Sequence, residues 1–252
     1  MIKMLVCDFD GTINGGSSLG VDQFSAYLNT QPELHFIIAT GRTLPSIKEG
    51  LTTHNYPKPR CIISDIGTRI NYDYDLIADE RWQHQLQDKW NKSAIQTALQ
   101  DITFLGECNP SYQGDYKITF EGKLDHKQYS SIATALAQQS INVDITYSHD
   151  WFLDITPKGI NKAAAIHYIM QKYNLTAEEV CVAGDSANDT SMLTMPGINA
   201  ILVANHYNEV AHLSELNHVY TSNASHAEGV LEGLIYWQNI AVQNNTSSET
   251  TI

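Results

Sequence analysis

Two aspartates, Asp8 and Asp10, stand one residue apart at the end of an apolar run, in the stretch "KMLVCDFDGTIN" at residues 3–14. On extended backbone, residues i and i+2 point to the same side. Both carboxylates can therefore face one cleft while Phe9, between them, turns into the core. Two other apolar runs end on similar chemistry: Thr40-Gly41-Arg42 follows "LHFIIA", and Gly184-Asp185-Ser186-Ala187-Asn188-Asp189 follows "EEVCVA". In an open parallel sheet, ligands bind beyond the carboxyl ends of the strands. If these three strands are neighbours, Asp8, Asp10, Asp185 and Asp189 converge. Four carboxylates in one cleft repel unless a cation sits among them. Mg2+, which favours carboxylate and water oxygens at about 2.0–2.1 Å, is the natural choice. Lys162, at the start of a helical pattern just before the last of these strands, adds a fixed positive charge.

Such a cleft suits phosphoryl transfer. One aspartate attacks phosphorus and forms an aspartyl-phosphate, which splits a hard hydrolysis into two easier steps. The other protonates the leaving alkoxide and later activates water. The metal neutralises charge on carboxylate and phosphate and holds them in line. The hydroxyls of Thr12 and Thr40, with the loop groups of Gly11, Gly41, Arg42 and Asn188, are candidate phosphate contacts.

The elements that must position these loops follow an α/β pattern. "MLVC" (4–7), "LHFIIAT" (34–40) and "RCIISDIG" (60–67) read as buried strands, separated by helical patterns at 21–29 and 44–51. Strand and helix in alternation imply parallel pairing with right-handed crossovers. The pattern returns with a helix at 161–174, strands at 178–185 and 199–205, a helix at 208–216, a short strand at 218–222 and a closing helix at 227–240. Between them lie helical patterns near 80–100 and 125–139 and alternating strands at 115–122, 141–146 and 151–156. Strands bunched in this way suggest antiparallel pairing. The expected fold is thus a Rossmann-like parallel-sheet core, residues 1–78 and 158–240, carrying an inserted α+β lobe at 79–157, with a disordered polar tail at 241–252.

Composition narrows the partners. The chain has 252 residues, 42% of them hydrophobic, and a formal charge of −13. So acidic a surface repels nucleic acid and anionic lipid. No apolar run reaches the roughly 18 residues of a membrane span, and no signal-peptide pattern opens the chain, so a cytoplasmic monomer or small homo-oligomer is expected. Cys7, Cys61 and Cys181 sit in apolar stretches, Cys108 in a loop-like one, and no CxxC spacing suggests zinc. The ten histidines show no ligand spacing and read as surface or core residues. The four tryptophans read as packing residues, with Trp151 at the end of the inserted lobe the one worth testing for another role.

"DFDGT", "TGR", a downstream lysine and "GDSANDTSML", in this order, resemble the four motifs of the haloacid dehalogenase-like phosphatases, and the insertion between the second and third resembles their C2-type cap. The resemblance implies Asp8 as nucleophile, Asp10 as general acid/base, Thr40 as phosphate ligand and Lys162 as the cation of the third motif. It implies Mg2+ held by the Asp8 carboxylate, the Asp10 main-chain carbonyl and Asp185, with Asp189 in support. "SDIGTRINY" (64–72), "FLDITPKGINKAAAI" and "HAEGVLEGLIYW" further resemble sucrose-phosphate phosphatases, and the related mannosylfructose-phosphate phosphatases would look similar. Arg69 stands where that group usually has glutamate. In such enzymes the core holds the phosphate and the cap holds the sugar. Asp65, Thr68 and Lys117 are the candidate substrate contacts there. The expected activity is hydrolysis of a sucrose-6-phosphate-like sugar phosphate. A sugar phosphomutase, or a non-catalytic sugar-phosphate-binding protein on the same scaffold, remains open at this point.

Overall fold

In a computed structural model, residues 1–73, 77–106 and 109–249 are described, with side chains as far as 243. Cys108 lies outside the described residues. The eight-stranded main sheet runs β11-β10-β9-β1-β2-β3-β4-β5. Its strands are β1 (Met4–Cys7), β2 (His35–Ala39), β3 (Cys61–Ser64), β4 (Arg69–Tyr72), β5 (Ile77–Ala78), β9 (Val180–Gly184), β10 (Asn199–Leu202) and β11 (Val219–Thr221). All pairs from β11 to β3 are parallel, and β4 and β5 add an antiparallel edge. The order puts β1 between β2 and β9, so the three strands whose ends carry the aspartates, the threonine and the acidic loop are neighbours.

Side chains alternate between two buried faces, as parallel strands covered on both sides require. Met4, Val6, Ile37 and Ala39 face one core, covered by α6 (Lys162–Tyr173), α7 (Thr190–Leu193) and α3 (Glu80–Gln87). Leu5, Cys7, Phe36 and Ile38 face the other, covered by α1 (Ser18–Asn29), α2 (Leu44–Gly50) and α8 (His226–Glu249). A separate three-stranded antiparallel sheet, β6-β8-β7, joins β6 (Ile118–Glu121), β7 (Val143–Ser148) and β8 (Phe152–Pro157). Its core comes from Ile118, Leu153 and Ile155 packed on α4 (Lys92–Leu99) and α5 (His126–Gln138). The helix α3 packs elsewhere: Trp82 and Leu86 join the main-sheet core.

Three expectations change. The strand expected at 60–67 stops at Ser64, and Asp65–Gly67 form one turn of 3-10 helix with Asp65 and Ile66 at φ +54° and +55°. The helix expected at 208–216 is a 3-10 helix, Asn208–Glu215. The segment read as a disordered tail continues α8 as far as Glu249, and residues 250–252 lie outside the described residues.

One close approach joins the Asp65 turn to α6. Gly67 has φ +93°, and a Cβ there would run into the Asn161 carbonyl, next to Lys162. Asn161 caps α6 through its side chain, which accepts from Ala164 N at 3.0 Å. Gly67→Ala should therefore destabilise the fold by about 2 kcal/mol or more, through both the left-handed backbone and the collision. Urea denaturation measures this, and an unchanged midpoint would contradict the packing.

Candidate active site

The site is built where β1, β2 and β9 end. Asp8 follows β1 directly, and its N–H donates to the Ala183 carbonyl of β9 at 2.9 Å, so ladder pairing runs one residue past the strand and sets Asp8 beside the acidic loop. Lys162, wholly buried, sits in the first turn of α6, where the helix dipole disfavours a cation. Three acceptors offset that: its Nζ donates to Asp8 Oδ1 at 2.7 Å, Asn188 Oδ1 at 2.8 Å and Asp189 Oδ1 at 2.6 Å, which uses every ammonium proton. The second oxygen of Asp189 accepts from the N–H groups of Asp185 and Ser186, at 2.9 and 3.1 Å.

Asp185 differs. Its Oδ1 accepts from the Thr12 hydroxyl at 2.5 Å, but its Oδ2 is buried and has no hydrogen-bond partner. A buried carboxylate oxygen left so is costly. Gly11, at φ +80°, lies against that carboxylate, and a Cβ there would occupy the same space. One oxygen each of Asp8, Asp185 and Asp189 lie within 4.8 Å of one another. Three carboxylates face one ammonium, so the buried cluster lacks positive charge. Burial pushes the Asp8 carboxyl up to about 7 against the pull of Lys162, and burial with Asp189 and Asp8 nearby pushes Asp185 up to about 9. Burial also works against the charge of Lys162, but Asp189 and Asp8 outweigh it and hold the ammonium above the usual lysine range. Hard oxygen donors, an unpartnered oxygen and a charge deficit together fit a small divalent cation such as Mg2+.

Asp10 stands apart from the other three acids. Its carboxylate accepts from Arg42 Nε and a second guanidinium nitrogen, both at 2.6 Å, and from Asn14 at 3.0 Å. The expected four-carboxylate convergence is thus a cluster of three, with the fourth held by Arg42. The reason is local: ladder pairing goes no further than Asp8, and Ile13 and Asn14 fold back to donate to the Phe9 carbonyl, so the i, i+2 rule no longer orients Asp10. Phe9 does enter the core, and the Arg42 guanidinium lies 5.0 Å from its ring centroid.

The other candidates have definite neighbours. Thr40 is buried at the end of β2, and its Oγ1 accepts from Arg42 N at 3.2 Å. Thr12, expected on phosphate, donates instead to Asp185, and Asn188 accepts from Lys162. The Gly41 carbonyl accepts from Lys117 Nζ at 2.8 Å, so this lysine of β6's leading edge is buried against the core, 3.8 Å from Asp154. Asp65 is buried with Oδ1 unpartnered, while the Thr68 hydroxyl is turned to the Asp65 carbonyl at 3.0 Å. Burial pushes the Asp65 carboxyl up, and Lys117 resists. Trp151 is 47% exposed and reaches Glu121 at 3.3 Å.

Several residues near the site escaped the sequence reading. Asn205 donates to the Gly11 carbonyl at 2.7 Å and accepts from His226 N at 2.9 Å, tying the start of α8 to the Asp10 loop. Asn205 follows the end of β10, so the strand-end rule that found Asp8 would have found it too. Tyr207 donates its N–H to the Asp185 carbonyl at 2.8 Å, and Glu209 accepts from Ala187 N at 2.7 Å.

Comparison with known proteins shows the family and the fold. The sucrose-6F-phosphate phosphohydrolase family model matches residues 1–238. Sucrose-phosphatase 1 of Nicotiana tabacum is 26% identical over 217 residues, covering 82% of this chain and 51% of its own length. This chain thus spans about half the length of that relative. Mannosylfructose-phosphate phosphatase of Agrobacterium fabrum is 26% identical over 241 residues, covering 94% of this chain and 97% of its own. The structure of a Synechocystis sucrose-phosphatase, in complex with sucrose and phosphate, superposes with a TM-score of 0.87 at 22% identity, covering 94% and 99% of the two chains. At that identity the likeness shows a shared haloacid dehalogenase-like fold.

The charge deficit has a measurable signature. Asp8 and Asp185 titrate near 7 and 9 in the fold but near about 4 in an unfolded chain. Between those values the folded state holds more protons, so stability falls as pH rises. A cation that binds the ionised acids opposes this loss. In EDTA the melting temperature should drop from about pH 5 to about pH 9, and millimolar Mg2+ should flatten that drop. Identical melting curves with and without Mg2+ at alkaline pH would contradict it.

Proposed function

The chain belongs to the sucrose-6F-phosphate phosphohydrolase family, and we propose that it is a Mg2+-dependent phosphatase that hydrolyses a sugar phosphate through an aspartyl-phosphate, a sucrose-6-phosphate-like ester being the first candidate. The observation that carries this reading is the buried triad of Asp8, Asp185 and Asp189 with Lys162 inside it and one Asp185 oxygen left without a partner. Lys162 holds one oxygen of Asp8 and leaves the other for phosphorus. As the Asp8–phosphorus bond forms, the bond from phosphorus to the sugar oxygen breaks, and Asp10 gives that oxygen a proton. Water then attacks phosphorus, its proton passes to Asp10, and phosphate and Asp8 are released. Arg42 keeps Asp10 oriented until one of its two contacts is exchanged for the reacting oxygen. Mg2+ held by Asp8, Asp185 and the Asp10 carbonyl, with Asp189 behind, would neutralise charge on the carboxylate and the phosphate.

The lobe at 79–157 acts in this reading as a cap that holds the sugar. Lys117 supports it, being buried at the boundary, where its Nζ donates to the Gly41 carbonyl of the core and lies 3.8 Å from the Asp154 carboxylate of the cap. A cleft of about 630 Å³ lies beside it, lined among others by Thr43, Asp65, Thr68, Gln113 and Asp115. A mannosylfructose phosphate is the second candidate substrate, because the relative acting on it matches over nearly the whole of both chains.

Phosphate release in Mg2+ should be measured on sucrose 6F-phosphate, mannosylfructose phosphate, glucose 6-phosphate and a triose phosphate. A disaccharide ester should be preferred, and Asp8→Asn should lower kcat by about a thousandfold or more. Full turnover by Asp8→Asn would sink the mechanism. Equal rates on all the esters would leave a general phosphatase, and isomerisation without free phosphate would indicate a mutase.

A further inference from the structure

The turn between β7 and β8 brings an unexpected residue to the site. His149 and Asp150 both have positive φ, +58° and +52°, and the turn is closed by Trp151 N donating to the Ser148 carbonyl at 3.1 Å. A two-residue hairpin turn that matches strand twist takes φ > 0 at both central positions, and histidine and aspartate are among the side chains that adopt it. The turn is fastened to the acidic loop by one atom. Glu209 Oε1 accepts from His149 N at 3.3 Å and from Ala187 N at 2.7 Å, and Ala187 lies between Asp185 and Asp189. The imidazole is pinned edge-on between Tyr207, 4.7 Å away between centroids, and Phe152, 6.1 Å away. Tyr207 in turn is bonded to the Asp185 carbonyl. With its ring so fixed, His149 Nδ1 is buried and has no hydrogen-bond partner.

We propose that His149 is a specificity-determining residue whose Nδ1 hydrogen-bonds a sugar hydroxyl close to the phosphoester. The proposal rests on the sugar-phosphate reading of this site. Charge and position both favour the sugar as its partner. Burial pushes the imidazole below its ordinary value, so it is neutral at physiological pH and suits a hydroxyl better than a dianion. The ring stands against the acidic loop, because Glu209 Oε1 joins His149 N to Ala187 N and Tyr207, edge-on to the imidazole, donates its N–H to the Asp185 carbonyl. A buried group that awaits a substrate hydroxyl also discriminates well, since a substrate without that hydroxyl leaves it unpaired.

The test compares kcat/KM for sucrose 6F-phosphate with kcat/KM for p-nitrophenyl phosphate, in the full chain with Mg2+. His149→Gly removes the imidazole and suits the left-handed backbone, so folding is retained; His149→Asn suits the same backbone and keeps a polar group. The ratio of sugar to aryl ester should fall about tenfold in His149→Gly and recover in part in His149→Asn. A ratio within about twofold of wild type in His149→Gly, whatever the absolute rates, would reduce His149 to a structural contact and overturn the proposal. A wild-type protein that hydrolyses the aryl ester but not sucrose 6F-phosphate or mannosylfructose phosphate would overturn the sugar-phosphate reading itself, and this proposal with it.

Discussion

A lysine buried among acids is the constraint on which the rest of the structure depends. Lys162 has no exposed surface and gives one proton each to Asp8, Asn188 and Asp189. Removing an ammonium from water is expensive unless every donor is met by good geometry. That requirement dictates the strand order, because only β9 beside β1 brings Asp8 and Asp189 within reach of one Nζ. It dictates where α6 starts, with Asn161 capping it and Gly67 allowing the neighbouring turn to pack against that start. It also dictates small residues at Gly11 and Gly184, where a side chain would displace Asp185 or Asp189.

The four aspartates divide into different environments, and the roles proposed for them divide in the same way. Asp189 has both oxygens occupied and serves as a fixed strut. Asp185 keeps one oxygen without a partner, which suits the metal ligand proposed for it. Asp8 is tied to Lys162 through one oxygen. Asp10, its side chain 43% exposed and held by Arg42, is the one acid near open solvent, where protons can enter and leave. Like charges kept apart by Arg42 and Lys162 can hold different protonation states in one small site, which acid–base chemistry requires.

The grouping of the core residues was legible because strand ends carry them. Asp8, Thr40, Asp185, Asp189 and Lys162 were readable from apolar runs, the residues after them and a parallel topology. Contacts made through turns were less legible. Asp10 lies past the end of β1, where the fold back onto Phe9 rather than strand alternation aims its carboxylate. The edge strands β4 and β5 are too short to show a pattern of their own. Lys117 stood out as a candidate contact, but its burial was not legible because that burial is tertiary: the groups that allow it, the Gly41 carbonyl and the Asp154 carboxylate, are distant in sequence. His149 looked like filler for the same reason, since Tyr207 and Glu209 are some sixty residues away. Tertiary placement of this kind leaves no local periodicity to read.

The central claim is that Asp8 takes the phosphoryl group inside a cluster whose charge a divalent cation completes. Rapid acid quench of the protein turning over sucrose 6F-phosphate, followed by mass spectrometry of the peptide holding residues 4–14, tests it most directly. The account predicts a phosphoryl group on Asp8 in Mg2+ and none in EDTA. Turnover with that peptide unmodified, or with the phosphoryl group on another residue, would contradict it.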